Sequence, residues 1–138
     1  MVAIGIFFAT AVAHATSNHS YKPGEFGVIV DGLSPDGHYS IAAHGEGDFG
    51  YSNFHLYLMD ARTGGKIGPL EEIKDTLDTG ASAFYAHWSA DSHQVAIRYR
   101  VDRHEAMEVR YRIADHRARL IAGPSKVPAL RFTDTTDR

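Results

Sequence analysis

Leu33-Ser34-Pro35-Asp36-Gly37-His38 and Trp88-Ser89-Ala90-Asp91-Ser92-His93 are one phrase written twice, 55 residues apart. Carried forward without a gap, that offset aligns Ser34–Pro69 with Ser89–Pro124. Ser34/Ser89, Asp36/Asp91, His38/His93, Asp60/Asp115, Arg62/Arg117, Gly68/Gly123 and Pro69/Pro124 are then identical. About two identities are expected by chance over a block of this length, so seven at one offset mark an internal repeat.

The residues between the repeated turns have the period of strands. Phe54, Leu56 and Leu58 alternate with other side chains and run into Asp60. Their equivalents Val109, Tyr111 and Ile113 do the same and run into Asp115. Alternation of this kind is the signature of a strand with one buried face. Each copy is predicted to hold four short strands, the first copy over 28–33, 39–43, 54–60 and 66–70, the second over 84–88, 94–101, 108–115 and 119–122. The turns between them have matching chemistry. Ser34-Pro35-Asp36-Gly37 sets φ at the proline and frees it at the glycine, and Ala61-Arg62-Thr63-Gly64-Gly65 closes the last hairpin of the first copy in the same way. Helical periodicity is confined to the N-terminal segment and a short stretch over 70–77.

The two copies differ in what their faces carry. In the second, Val95, Ile97, Tyr99 and Val101 share a face with Val109, Tyr111 and Ile113, while Arg98, Arg100, Arg110 and Arg112 crowd the other. Four guanidiniums cannot be buried unpaired, so that face is expected to be wet or to meet anions. In the first copy Phe54, Leu56 and Leu58 lie on one side, and Tyr57 and Met59 make the other side apolar as well. The first unit is therefore expected as an inner layer, the second as an outer one.

Leu33-Ser34-Pro35-Asp36-Gly37, followed by Leu56-Tyr57-Leu58-Met59-Asp60 and Thr63-Gly64, resembles one blade of the TolB-type, WD-like β-propeller repeat. Trp88-Ser89-Ala90-Asp91-Ser92 with Val95-Ala96-Ile97 resembles the start of the next. The resemblance covers most of residues 28–124. It implies an all-β fold of two four-stranded antiparallel meanders, blade-like and packed as an open two-layer unit, with Trp88 at a core position matching Leu33. It implies a protein-binding or accessory role rather than a chemistry. Closed propellers need four to eight blades, and this chain supplies two.

Composition narrows the remaining classes. The formal charge of −3 gives no basic footprint for nucleic acid, and the absence of cysteine excludes disulfides, thiolate nucleophiles and zinc–thiolate sites. An apolar run over 2–13 is too short to span a bilayer and ends in Ala13-His14-Ala15, a small-x-small site of the kind signal peptidase cleaves. The organisation read from the sequence is a signal peptide over 1–15, a linker over 16–27, the two-repeat β domain over 28–124 (repeats at 28–70 and 83–124), and a polar tail over 125–138. Periplasmic or secreted localisation follows, with no transmembrane segment after processing.

Four constellations invite a chemical reading. His44, Glu46 and Asp48 alternate among glycines in a calcium-like pattern, but no closing glutamate follows, and the segment reads as a soluble hairpin loop. The nine histidines lack the spacing of a zinc site. Gly80-Ala81-Ser82-Ala83-Phe84 approaches the G-x-S-x-G nucleophile elbow without its last glycine, and a strand is expected after it where the elbow needs a helix. Glu71, Glu72, Asp75 and Asp78 read as a solvated connecting segment. This leaves Arg98, Arg100, Arg110 and Arg112 as the anion-binding candidates, since paired guanidiniums grip carboxylate or phosphate bidentately.

The sequence thus reads as an exported non-enzymatic binding module with no cofactor, meeting an anionic or protein partner or a second copy of itself. The rival reading is an accessory domain or fragment of a hydrolase whose catalytic part lies elsewhere. Export makes a direct prediction: the intact mass of protein from the extracellular or periplasmic fraction corresponds to a chain beginning at Thr16. A chain retaining Met1 overturns the signal-peptide reading.

Overall fold

The computed structural model describes residues 18–47 and 52–128. The signal peptide expected over 1–15, Asp48 and the end of the C-terminal tail lie outside the described residues. The chain is all-β, 56% strand, in eight strands. The first repeat supplies β1 (Gly27–Leu33), β2 (Tyr39–Glu46), β3 (Ser52–Asp60) and β4 (Gly65–Pro69). The second supplies β5 (Tyr85–Trp88), β6 (Gln94–Arg100), β7 (Ala106–Ala114) and β8 (Arg117–Val127). These are the predicted strands to within a few residues, except that β8 takes in Ser125–Val127, which the sequence assigns to the tail. The short stretch over 70–77 is not helical; it crosses between the repeats in turns and extended backbone.

The repeated turns close by the same hydrogen bonds. Ser34 Oγ donates to Asp36 Oδ1 at 2.7 Å and accepts from Tyr39 N at 3.0 Å, while His38 N donates to the same Asp36 oxygen at 2.9 Å. Ser89 Oγ donates to Asp91 at 2.6 Å and accepts from Gln94 N at 2.9 Å, and His93 N reaches Asp91 at 2.9 Å. The Ser hydroxyls and backbone N–H groups hold both aspartates below their ordinary carboxylate range. The position needing positive φ is Gly37 (φ 76°) in one copy and Ser92 (φ 65°) in the other. The serine has a reason to be there: Ser92 Oγ accepts a hydrogen bond from Asp36 N at 3.0 Å, fastening one repeated turn to the other.

Each repeat is an antiparallel meander, and the two join edge to edge. β1 pairs with β5 in parallel at Val30↔Tyr85, giving the strand order β4-β3-β2-β1-β5-β6-β7-β8. Val30 N donates to Phe84 O at 3.0 Å, and Trp88 Nε1 donates to Gly32 O at 3.1 Å across the same seam. The eight-stranded sheet curls into a half-barrel. Its concave side holds one core to which both meanders contribute: Ile41, Leu56 and Leu58 from the first, with Phe84, Ile97, Tyr99, Val109 and Tyr111 from the second. Phe54 and Phe84 meet with ring centroids 5.6 Å apart. Neither unit is therefore an inner layer, as the face pattern suggested. Curling lets each bury one face against the other, and burial of that face removes apolar surface from water at about 25 cal/mol per Å2. Burial also pushes the Tyr99 phenol up to about 12.

The segment between the repeats closes one end of this core. Leu70 and Ile73 are buried in it, Tyr111 Oη donates to Glu71 O, and Leu77 N donates to Arg100 O at 2.9 Å. The turn joining β7 to β8 comes back over the start of β2: His116 lies 3.4 Å from Tyr39 Oη and 3.6 Å from Asp60 Oδ2.

β1 breaks the equivalence of the copies. Its register with β2 shifts between Val28 and Leu33, where Asp31 has φ 57°. Five steps along β1, from Val28 to Leu33, are matched by two along β2, from Ala42 to Ser40, and an odd surplus of residues turns the side chains beyond it to the opposite face. Leu33 is accordingly 57% exposed, whereas Trp88 at the matching position packs, partly buried, against the core. The core role that the resemblance gives this position holds for one copy alone. Gly32 sits inside the bulge, where a Cβ would lie 2.8 Å from Ile41 O.

Because Trp88 joins core packing to a seam hydrogen bond, Trp88→Ala is expected to cost about 2–4 kcal/mol in urea unfolding. A loss under about 1 kcal/mol, the range of surface changes, overturns the role of the indole in the seam.

Candidate functional site

The outer, convex side of the curled sheet carries two surfaces of opposite character. Over the second meander it is the arginine face. The register Gln94↔Arg112, Ala96↔Arg110, Arg98↔Glu108 and Arg100↔Ala106 places all four candidate arginines on it, as the alternation predicted. The structure then divides them. Glu108 stands between two: Arg98 Nε lies 2.9 Å from Oε1 and Arg110 Nε 2.8 Å from Oε2. Arg100 is held by Asp78, with Nε 3.1 Å from Oδ2 and Nη2 2.9 Å from Oδ1. Those hydrogen bonds raise the Arg100 pKa further above its ordinary value. Arg112 is exposed and lies opposite Arg119 of β8.

Asp78 is the residue whose role the sequence reading missed. The sequence places it in a solvated acidic segment, yet it is 1% exposed. Its partner lies 22 residues along the chain, and no local pattern links the two. Asp102, by contrast, spends one oxygen on its own loop, accepting from His104 N at 2.7 Å and Glu105 N at 2.8 Å. The four guanidiniums therefore do not act as one open anion cradle. Three take part in carboxylate pairs, and Arg112 faces solvent beside β8.

Over the first meander the outer side is apolar. Ala42, Tyr57 and Met59 form a small buried cluster with Phe26 packed on it. Beside it runs a groove of about 500 Å3 lined by Phe26, Val28, Leu33, Ala42 and Met59. Val28 and Leu33 stand 55% and 57% exposed along it; Val28 faces outward in regular register with Ala42, and Leu33 is turned outward beyond the β1 bulge. The sequence showed Tyr57 and Met59 on this side; it gave no sign that Leu33 would join them.

The remaining candidates have structural partners. His44 is buried and stacked on Phe26 at 4.3 Å, with Nδ1 2.5 Å from Glu25 O and Nε2 3.2 Å from Glu46 Oε2. It ties the segment preceding β1 to β2. Asp48, the third member of that motif, lies outside the described residues. Among the described residues no three His, Asp or Glu side chains converge as a metal site. Ser82 is exposed in a single 3-10 turn, Ala81–Ala83, from which the chain passes directly into β5, so the geometry there is turn to strand. Among the described residues no helix is long and apolar enough to cross a membrane. No family model matches the chain, and comparisons with curated proteins and with solved structures also gave no match.

The division of the arginines predicts unequal substitutions. Arg100→Met strands a buried carboxylate and is expected to cost about 3–5 kcal/mol. Arg112→Gln touches an exposed side chain and is expected to change stability by less than about 0.5 kcal/mol. Equal losses in denaturant titrations would overturn the assignment of Asp78 as the buried partner.

Proposed function

We propose that this chain is an exported, non-enzymatic interaction module that binds protein through the outer face of its first meander. The observation that carries the reading is the groove beside Val28 and Leu33. A β-bulge turns Leu33 into solvent on the same side as Val28, next to the already apolar cluster of Tyr57 and Met59. Exposed apolar patches framed by polar surface are where proteins meet proteins. Resemblance of the repeats to TolB-type blades supports the same role, since it implies protein-binding or accessory domains. The placement of the repeated first strands, β1 and β5, side by side and parallel is compatible with that resemblance. Export rests on the N-terminal sequence.

The partner this surface suits first is a second copy, in a two-fold contact that sets each groove against the other. Edge pairing between copies is disfavoured. β4 is only five residues long and includes Lys66 and Pro69, and β8 carries Arg117 and Arg119. Short strands, prolines and charges are the usual means of blunting a sheet edge.

Light scattering of the purified protein at high micromolar concentration is expected to show a dimer, and Leu33→Asp a monomer of unchanged melting temperature. A clean monomer in the unsubstituted protein overturns the self-association.

A further inference from the structure

A separate surface, at the opposite end of the sheet from β4, has its own recognition chemistry. Among the described residues β8 has no strand beyond it, so one side of its backbone is open. The first part of β8 keeps regular register with β7, as Ala114↔Arg117, Ile113↔Ala118 and Arg112↔Arg119. Its side chains alternate there: Arg117, Arg119 and Ile121 are exposed, and Ala118 and Leu120 pack against the core. Beyond this stretch the register shifts, and Pro124 lacks a backbone N–H to offer.

Arg112 and Arg119 face each other directly across the ladder, and like charges so placed repel. Among the described residues no ion pair holds Arg112, Arg117 or Arg119, although Arg98, Arg100 and Arg110 all have carboxylate partners. The first repeat treats the same position differently, since Arg62, the equivalent of Arg117, lies 3.8 Å from Asp60. The second repeat thus places its unneutralised guanidiniums beside the open edge of the sheet.

We propose that the edge of β8 over residues 117–121 accepts an added strand: an extended peptide in which acidic and apolar residues alternate. Main-chain hydrogen bonds to an open edge give such a contact affinity, and side chains at every second position give it specificity. On the outer face, acidic residues two apart lie opposite Arg117 and Arg119, with Arg112 one strand further in. On the inner face, the intervening apolar residues lie beside Ala118 and Leu120 and extend the rim of the core. The pattern discriminates among occupants. Another copy's β8 would bring arginines against arginines, and its β4 offers Lys66 without an acidic residue. A free polyanion would meet the guanidiniums but leave the backbone edge and the apolar rim unused.

The proposal is tested by fluorescence polarisation with a labelled peptide of alternating glutamate and valine, about six residues long, near the ordinary strand length. A peptide of the same composition with its glutamates and valines in separate blocks is the control. The alternating peptide is expected to bind at least about tenfold more tightly than the block peptide. The double variant Arg117→Glu/Arg119→Glu is expected to lose that binding, keep its melting temperature, and bind a lysine–valine alternating peptide instead. The Leu33→Asp variant is expected to bind the glutamate–valine peptide normally, which separates this edge from the groove of the first meander. Equal affinity for alternating and block peptides overturns the proposal in favour of a simple ionic patch. Absence of binding, or failure of the charge-reversed variant to take the lysine peptide, overturns it as well.

Discussion

The parallel contact of β1 with β5 is the constraint on which the rest of the molecule depends. A four-stranded meander alone has one face to bury and nothing to bury it against. The pairing at Val30 and Tyr85 makes the two meanders a single sheet, and the hydrogen bond from Trp88 to Gly32 braces it. Twisted sheets of this width curl, and the curl carries the inner face of one repeat over that of the other. The core around Phe84, Ile97 and Tyr111 is the product of that seam. Ser92 reinforces it by accepting the positive φ that its counterpart leaves to Gly37, and gains the hydrogen bond from Asp36.

With the inner face committed to packing, the two repeats are free to differ outside. The first acquires a bulge in β1 and an apolar groove; the second acquires arginines. Their neutralisation follows burial. Arg98 and Glu108, both little exposed, pair closely, and Arg100 meets a carboxylate that is removed from water altogether. Near the β8 edge water screens the charges, and among the described residues Arg112, Arg117 and Arg119 stand without that compensation. Electrostatic strain is tolerable there because exposed interactions are weak.

The strands and turns were legible because their causes are local. Alternation in β3 and β7 needs only neighbours two residues apart, and the Ser–Asp turns close on themselves within six residues. The arginine face was legible for the same reason. Asp78 was misread because a carboxylate's environment is set by what folds over it, and its partner comes from another strand. Leu33 was misread because the bulge in β1 leaves no mark in the hydrophobic pattern, and the repeat aligned it with a residue that does face the core.

The sequence by itself therefore determined the repeat, the eight strands, the closing turns and which residues share a strand face, since each is fixed by chemistry within a few residues of chain. Only the tertiary structure decided that the meanders join edge to edge, that the sheet curls onto one core, and which side of β1 meets water. Those outcomes depend on β1 meeting β5 across more than fifty residues of intervening chain. The irregular register of β1 then turns Leu33 to the opposite face, so the placement of the apolar groove was set by register and not by composition.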